Sequence, residues 1–295
     1  MDGVGGLRVL LTGANGQLAQ ALLQSCPDGI DLHAVDRSRL DLADPDACAE
    51  AVAALKPDWV LNAGAYTAVD RAEAEPELAM AVNGAAPAAF AQALQSSGGR
   101  LLQISTDFVF NGQQGSPYQP DQSRDPLGVY GRTKAAGEAA AQQQLDPQRL
   151  CILRTSWVYG PVGHNFLRTM LRLHRERDQI AVVADQVGCP TATDGLAQAC
   201  WAILERELCG VQHWCDAGAA SWYDFAVAIG ELGQAAGLIQ RAAVVQPIGT
   251  VDYPTPARRP SYSLLDCSST RAALGLPVRQ WRQALQQVMA QVEPA

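Results

Sequence analysis

The sequence predicts an α/β fold, built from a doubly wound parallel sheet with a smaller second lobe towards the C-terminal end. Three observations favour this class. Short apolar runs alternate with helix-like segments through the first half of the chain, as in βαβ units. A glycine-containing turn follows the first apolar run, and polar residues follow several of the others. The length of 295 residues suits one large domain with an attached lobe.

The strands and helices of the first half follow from the same alternation. Apolar runs at residues 8–12, 32–35, 59–62, 101–105 and 150–155 predict strands. Helical patterns cover residues 16–26, 44–55, 77–97 and 129–144. Asp44 and Pro45 supply the N-cap and the first-turn residue of the second helix. Right-handed crossovers between such strands produce a Rossmann-type sheet, whose ligands bind beyond the carboxyl ends of the strands.

The second half of the chain has a less regular pattern. Helices are predicted at residues 165–177, 194–207, 223–236 and 279–292, and loops containing proline and glycine separate them. We therefore expect residues 1–155 to form the Rossmann domain. Residues 156–295 are expected to form mainly a lobe that covers the ligand edge of the sheet, with some segments returning to the sheet.

Composition argues against several classes of function. The net charge is −8 and there is no run rich in Lys and Arg, so a nucleic-acid-binding protein is not expected. The eight cysteines form no CxxC pair, and the four histidines lack metal-ligand spacing. No apolar stretch is long enough to span a bilayer, and the short apolar run near the start does not resemble a signal peptide. We expect a cytoplasmic protein that does not contact membranes and has no metal site.

A phosphate-binding turn is predicted at the end of the first strand. Residues 12–19 read TGANGQLA, in which two glycines are three residues apart. Small residues let the backbone turn tightly and approach a pyrophosphate, while the amides of the next helix face the anion. The residues expected to contact a dinucleotide in this turn are Gly13, Asn15, Gly16, Gln17 and Leu18.

The end of the second predicted strand carries residues suited to the adenosine of the dinucleotide. Asp36 lies about 20 residues after the turn, where a carboxylate bonds the ribose of NADH. Arg37 follows directly and is suited to the 2′-phosphate of NADPH. The two residues leave NADH and NADPH open as the cofactor. Asp41 and Leu42 lie in the next loop, where a carboxylate can accept a hydrogen bond from the adenine amine.

A second motif points to acid–base chemistry. Tyr130 and Lys134 are four residues apart at the start of a predicted helix, so their side chains share one face. An adjacent ammonium lowers the pKa of a phenol, which makes the phenol a usable acid near neutral pH. The Ser105-Thr106-Asp107 segment, at the end of the fourth predicted strand, supplies a hydroxyl nearby. A Tyr–Lys pair alone is commonly a packing contact, but the pair, the hydroxyl and the glycine turn together favour catalysis.

These motifs resemble those of the extended short-chain dehydrogenases/reductases. Over nearly the whole chain, more specific stretches resemble the dTDP-4-dehydrorhamnose reductase family. They are AYTAVD at residues 65–70, STDFVF at 105–110, RTSWVY at 154–159, GCPT at 188–191 and YPTPARRP at 253–260. The resemblance implies an NAD(P)H-dependent oxidoreductase that reduces the C4 keto group of dTDP-4-dehydro-L-rhamnose to give dTDP-L-rhamnose.

The resemblance also implies roles for individual residues. Tyr130 would protonate the C4 oxygen, Lys134 would tune the tyrosine and bond the nicotinamide ribose, and Thr106 would hydrogen-bond the C4 oxygen. Further cofactor contacts are implied for Ala63, Gly64, Ala65, Tyr66 and Asn83, the last of which would position Lys134. The substrate contacts implied are Thr106, Asp107, Trp157, Asn165, Phe166, Gln186 and Arg259, with Arg258 as an alternative to Arg259.

Two properties of the family stay open at this point. Some members are Mg²⁺-dependent dimers that use acidic residues of the first helix. Here the corresponding residues 20–22 read QAL and include no carboxylate, which argues against a Mg²⁺ site. The hydride chemistry requires no metal, and either a monomer or a homodimer is expected.

Two other functions fit the same fold. A nucleotide-sugar epimerase or dehydratase would reduce and reoxidise its NAD within one turnover, but dehydratases usually carry a Glu at the position of Phe108. A non-catalytic NADP-binding regulatory subunit, as in eukaryotic methionine adenosyltransferase, is the other alternative. The presence of Tyr130, Lys134 and Thr106 favours chemistry over binding alone.

Overall fold

The computed structural model describes residues 6–293. In chain order the strands are β1 (Leu7–Thr12), β2 (Ile30–Val35), β3 (Trp59–Asn62), β4 (Arg100–Thr106), β5 (Leu150–Thr155), β6 (Val158–Tyr159), β7 (Gln179–Val183), β8 (Val187–Gly188), β9 (Thr191–Ala192), β10 (Gly210–His213), β11 (Ala220–Ser221) and β12 (Val244–Ile248). The α-helices are α1 (Gln17–Gln24), α2 (Pro45–Leu55), α3 (Val69–Ala72), α4 (Pro76–Met80), α5 (Ala86–Ser97), α6 (Val129–Gln144), α7 (Phe166–Glu176), α8 (Thr193–Glu205), α9 (Trp222–Ala235), α10 (Ser268–Leu274) and α11 (Trp281–Met289).

A six-stranded parallel sheet forms the centre of the molecule, in the order β10-β5-β4-β3-β1-β2. Both faces are covered by helices because successive side chains of each strand point to opposite sides. On β1, Val9 and Leu11 join a core with α1 and α8, whereas Leu10 joins a second core with α2, α5 and α6. The doubly wound α/β fold predicted from the sequence is confirmed.

The second lobe is built from three small strand pairs and three helices. The pairs are β6–β9, β7–β12 and β8–β11. Helices α7, α9 and α11 pack around a third apolar core that includes Leu167, Phe225 and Trp281. Strand β10 follows α7 and α8 in the chain but pairs with β5. The C-terminal half therefore also completes the central sheet.

Several elements differ from the pattern predicted from the sequence, and two of them bear on the sheet and the site. Strand β10 has the sequence GVQH, which contains one aliphatic residue and gives no apolar run to detect. The predicted single helix over residues 77–97 is instead α4 and α5 joined by one π-helical turn, Ala81–Ala85. Such turns occur mostly at functional sites, since they re-aim side chains. This one contains the buried residue Asn83.

The described residues 6–293 contain no helix that is long and apolar enough to cross a membrane. The eight cysteines are all free thiols, and six of them are buried. A buried free cysteine behaves as a small apolar side chain.

Candidate active site

A ladder of polar side chains crosses the carboxyl end of the sheet. The Thr12 hydroxyl donates to Asn62 Oδ1 at 2.6 Å, and Asn62 Nδ2 donates to Gln103 Oε1 at 2.7 Å. Gly64 N in turn donates to the Thr12 hydroxyl at 3.1 Å. The ladder ties β1, β3 and β4 together and fixes the backbone that follows β3.

The turn after β1 approaches the loop after β3 closely because two glycines meet there. Gly13 has a φ of +71°, and a Cβ on it would lie 2.7 Å from Gly64 Cα. A Cβ on Gly64 would lie 2.6 Å from Leu42 Cδ1. Helix α1 begins immediately afterwards, at Gln17, so its amides face the turn. This arrangement fits a pyrophosphate, and therefore a dinucleotide, at the position predicted.

A cleft of about 160 Å³ lies beside the glycine turn. Its lining combines residues after β1, β2 and β3 with two from the helical region that follows. The lining residues are Gly13, Arg37, Leu40, Asp41, Leu42, Gly64, Ala65, Tyr66, Leu78 and Val82. Most of the predicted adenosine-side residues therefore meet in one place, with aliphatic walls suited to a flat base.

The charged residues beside this cleft are held differently from one another. Asp36 accepts from Ser38 N and Oγ and from Asn15 Nδ2, and these bonds hold the pKa of its carboxyl below its ordinary value. Arg37 is 75% exposed and lies 3.6 Å from Asp41. The carboxylate is thus fixed in place, whereas the guanidinium is free to reorient.

Asn83 holds the loop that follows β3. Its Oδ1 accepts from Tyr66 N at 2.9 Å, and its Nδ2 donates to Tyr66 O at 3.0 Å and to Thr133 Oγ1 at 3.2 Å. The sequence resemblance implied that Asn83 positions Lys134. In the structure the Asn83 side chain hydrogen-bonds to Thr133, the residue before Lys134. The Tyr66 hydroxyl donates to Glu75 at 2.6 Å, which fixes the other end of that side chain.

Leu18 of the glycine turn is the one predicted cofactor residue whose side chain turns away from the site. It is 8% exposed and belongs to the core between α1 and the sheet. Only its backbone amide, in the first turn of α1, is placed to meet an anion. Gln17, the residue before it, contacts the second lobe instead, through Asn165 Nδ2 at 2.7 Å.

The predicted catalytic side chains meet where α6 begins against the end of β4. Lys134 Nζ donates to the Ile104 carbonyl of β4 at 2.7 Å, and Tyr130 lies edge-on to Phe108 at 5.6 Å between ring centroids. The Thr106 hydroxyl is close enough to the Tyr130 phenol to lower its pKa slightly. The close approach depends on Gly131, because a Cβ there would lie 2.3 Å from the Phe108 carbonyl oxygen.

Burial shifts the proton affinity of both catalytic groups. Desolvation raises the pKa of Tyr130 to about 12, and the Asp107 carboxylate acts in the same direction. Desolvation lowers the pKa of Lys134 to about 8, partly offset by Glu138. The net shift of the Tyr130 pKa is therefore upward, with desolvation as its largest cause. The Lys134 ammonium donates to the Ile104 carbonyl, and its effect on the Tyr130 phenol stays a prediction.

Asp107 is a buried acid beside these groups, at 1% exposed. Its Oδ1 accepts from the Thr106 hydroxyl at 3.0 Å, but its Oδ2 has no hydrogen-bond partner within the described chain. Desolvation raises the pKa of Asp107 to about 6, although the neighbouring Ser263 and Thr106 hydroxyls offset part of this effect. A buried oxygen without a partner is costly, and one at a site is suited to a polar ligand.

Aromatic side chains form the wall of the site on the side of the second lobe. Trp157 has a φ of +47°, which is strained for a bulky residue. Its ring stacks on Trp222 with centroids 3.6 Å apart, and Phe166 packs on Trp222 at 4.8 Å. Trp222 was not predicted, because nothing local marks a residue that contacts Trp157 from 65 positions away.

The remaining predicted substrate residues, Gln186, Arg259 and its alternative Arg258, differ in how the chain holds their side chains. Gln186 is buried and donates to Thr250 Oγ1 at 3.1 Å, which ties it to the loop after β12. Arg259 makes a two-point contact with Asp70, at 3.0 Å and 2.8 Å. Its guanidinium is thus occupied by a carboxylate of α3. Arg258 is exposed.

The described residues 6–293 contain no group of three or more His, Cys, Asp or Glu side chains arranged to hold a metal ion. The site has the parts of an extended short-chain dehydrogenase/reductase: a doubly wound sheet, a glycine turn after β1, and a tyrosine and lysine on α6 beside a threonine of β4. That class covers several chemistries, and the comparisons with known proteins distinguish among them.

The family model described as the RmlD substrate binding domain matches residues 7–293. The chain belongs to the dTDP-4-dehydrorhamnose reductase family. It is 38% identical to the dTDP-4-dehydrorhamnose reductase of Aggregatibacter actinomycetemcomitans, covering 97% of this chain and 99% of that protein. The corresponding protein of Streptomyces griseus is 42% identical, with 94% and 91% covered.

A solved structure gives the same family. The dTDP-4-dehydrorhamnose reductase of Bacillus anthracis str. Ames, in complex with NADP, is 33% identical and superimposes with a TM-score of 0.90. The match covers 96% of this chain and 98% of that one. The resemblance inferred from the sequence motifs is confirmed.

Proposed function

We propose that this protein reduces the C4 keto group of dTDP-4-dehydro-L-rhamnose to give dTDP-L-rhamnose, using NADPH or NADH. The observation that carries the proposal is the meeting of Tyr130, Lys134 and Thr106 beside the glycine turn, in a chain that belongs to this family. As a cytoplasmic enzyme of nucleotide-sugar biosynthesis it would act as a monomer or a homodimer, with no role for nucleic acid.

The reduced nicotinamide, when bound, supplies hydride to the C4 carbon. Tyr130 then donates its proton to the C4 oxygen, where negative charge develops. A phenol with a pKa of about 12 stays protonated near neutral pH, and an alkoxide is a stronger base than the phenolate left behind. The transfer is therefore favourable in the direction of reduction.

Lys134 and Thr106 support this proton transfer. Lys134 has a pKa of about 8, so its ammonium is present near neutral pH to stabilise the phenolate and bond the nicotinamide ribose. The Thr106 hydroxyl adjoins the phenol and is held by Asp107 and by Phe108 N. It is placed to hydrogen-bond the C4 oxygen as charge builds there.

Binding of the cofactor would use the glycine turn and the adjacent cleft. Gly13, Asn15, Gly16, Gln17 and the amide of Leu18 would hold the pyrophosphate. Asp36, Arg37, Asp41 and Leu42 would hold the adenosine, and residues 63–66, fixed by Asn83, would border the ribose on the nicotinamide side. The exposure of Arg37 beside the cleft favours NADPH, because a free guanidinium suits a 2′-phosphate.

The second lobe would hold the nucleotide sugar. Trp157, stacked on Trp222, would offer a flat apolar surface to a deoxy sugar, with Phe166 packed on Trp222 beside it, and Asp107 Oδ2 would offer an acceptor to a sugar hydroxyl. Asn165 and Gln186 would border the pocket from α7 and the loop after β7. With Arg259 bound to Asp70, Arg258 is the better placed of the two for the diphosphate.

A stoichiometric assay tests the proposal. The protein is mixed with dTDP-4-dehydro-L-rhamnose and NADPH or NADH, and loss of reduced nicotinamide is followed by absorbance while the sugar product is identified by NMR. We expect one cofactor oxidised for each dTDP-L-rhamnose formed. Conversion of the sugar without net oxidation would instead indicate an epimerase, and cofactor binding without any conversion would indicate a regulatory protein.

A further inference from the structure

A fully buried carboxylate lies behind the catalytic groups. Glu138 is on α6, one turn after Lys134 and two turns after Tyr130, so the three residues share one face of the helix. Its side chain has no exposed surface. Buried carboxylates are rare unless paired, and none of the catalytic steps above uses this one.

Three elements supply the partners of Glu138. Arg154 of β5 makes a two-point contact, with Nη2 at 2.7 Å from Oε2 and Nε at 3.0 Å from Oε1. Arg124, from the loop before α6, lies at 3.1 Å from Oε2. The hydroxyl of Ser105 donates to Oε1. These contacts satisfy both oxygens and hold the pKa of Glu138 below its ordinary value despite the burial.

The Ser105 contact connects Glu138 to the reacting groups. Ser105 is adjacent to Thr106 on β4, and its neighbour on the other side, Ile104, accepts the Lys134 ammonium through its carbonyl. One carboxylate therefore fixes the three-residue segment of β4 that presents the catalytic hydroxyl and holds the catalytic lysine.

Among the charged groups around Lys134, Glu138 is the one that favours the protonated form of the lysine. Glu138 raises the pKa of Lys134 against the larger effect of burial. The other charged groups packed around this part of α6 are Arg124, Arg154, Asp107 and Glu73, and Glu73 is occupied by Val129 N at 2.7 Å. His213, beside Arg154, is neutral, because burial and that arginine lower its pKa to about 4.

We propose that Glu138 is a positioning residue of the reaction, which anchors the Ser105–Thr106 end of β4 and keeps the Lys134 side chain charged. This inference rests on the proposed function for its catalytic consequence. Its electrostatic part concerns Lys134 alone, and is measurable without any substrate.

The sequence makes that measurement direct, because it contains two lysines, Lys56 and Lys134. Lys56 is exposed and serves as an internal reference. Protein labelled with ¹³C at the lysine ε-carbon gives two lysine signals, whose titration yields both pKa values. We expect the Lys134 pKa to fall in Glu138→Gln, since a negative charge is lost, and to rise in Arg124→Gln, since a positive charge is lost. Lys56 should not change in either variant.

A third variant separates charge from anchoring. Ser105→Ala keeps the carboxylate and both arginines but removes the bond to β4. We expect several-fold lower turnover with the Lys134 pKa unchanged, whereas Glu138→Gln should also move the alkaline limb of the pH–turnover profile to lower pH. Arg124 is partly exposed, so Arg124→Gln remains informative even if Glu138→Gln fails to fold.

The lysine titration and the turnover of Ser105→Ala can each support or overturn the proposed role of Glu138. Opposite movements of the Lys134 signal in Glu138→Gln and Arg124→Gln support the electrostatic role, whatever the substrate proves to be. A Lys134 pKa that stays the same in both variants overturns that role, and full turnover in Ser105→Ala overturns the anchoring role. Failure of the wild-type protein to reduce the dTDP sugar would refute the proposed function but leave the lysine titration valid.

Discussion

Burial of the Asp107 carboxylate at the candidate active site lowers the free energy of unfolding. A carboxyl whose pKa rises from 3.8 to about 6 costs the folded state up to about 3 kcal/mol at pH values above 6. The folded protein holds this proton more tightly than the unfolded chain, so the cost is full above the folded pKa. It disappears as the pH falls towards the unfolded value.

We expect Asp107→Asn to be more stable than the wild type near neutral pH, by about 1–3 kcal/mol. The gain should vanish below about pH 4, where the wild-type carboxyl is protonated in both states. Turnover should fall, since the amide weakens the acceptor beside Thr106. Urea unfolding at several pH values, with matched turnover assays, measures both effects. A variant less stable than the wild type near neutral pH would show that the carboxylate makes favourable contacts.

Tyr130→Phe removes the proton donor while keeping the ring that packs on Phe108. General acids contribute about 10²–10⁴-fold to rates, so we expect turnover to fall by that factor. Cofactor affinity, measured by fluorescence titration with NADPH, should stay close to that of the wild type. Turnover near the wild-type level in this variant would remove Tyr130 from the proposed chemistry.

At the scale of elements, the sequence predicted the strands and helices that have a regular apolar pattern and missed features that have no such pattern. The strands of the sheet core and helix α6 followed from apolar runs and from the spacing of Tyr130 and Lys134. The π-helical turn at Ala81–Ala85 did not, because no local pattern marks it and its Asn83 contacts the distant loop after β3. Burial around Lys134 was equally invisible, since it arises from packing against β4.

The π-helical turn should be a determinant of cofactor binding. Asn83→Ala leaves Tyr66 N and O without partners, which costs about 1–3 kcal/mol of unfolding free energy and loosens the loop beside the cofactor cleft. We therefore expect a higher KM for the cofactor with a smaller change in turnover. Asn83→Asp is the matched control, because it keeps the acceptor for Tyr66 N and should be intermediate. Equal cofactor affinity in all three proteins would rule out this role.

We propose that the end of β2 decides the preference between NADPH and NADH. Arg37→Ala removes the exposed guanidinium beside the cleft, and bonds to charged groups contribute about 1.5–3 kcal/mol. We expect about ten- to hundredfold weaker binding of NADPH, with NADH little affected. Arg39→Ala is the control, since Arg39 is exposed and does not line the cleft. Equal losses for both cofactors in Arg37→Ala would contradict this assignment.

At the scale of the whole molecule, two polar contacts join the Rossmann domain to the second lobe across the site. Gln17 of the glycine turn meets Asn165 at the start of α7, and Asp70 after β3 meets Arg259. The glycine turn marked Gln17 as a ligand contact, and the resemblance to the family marked Asn165 and Arg259. Neither spacing nor similarity reveals which polar groups are satisfied by the chain itself. These four residues are therefore candidates for fixing the distance between the two lobes at the site.

The Asp70–Arg259 pair allows this idea to be tested against the substrate-contact hypothesis. If Arg259 joins the lobes through Asp70, then Asp70→Asn and Arg259→Ala should each raise the KM for the dTDP sugar by a similar factor. The double variant should be no worse than either, giving a coupling energy on the order of 1 kcal/mol. If Arg259 instead binds the diphosphate, Arg259→Ala alone should raise the KM, and Asp70→Asn should lower it by releasing the guanidinium. Arg258→Ala completes the set: we expect it to raise the KM without coupling to Asp70, because Arg258 lies outside the Asp70–Arg259 pair.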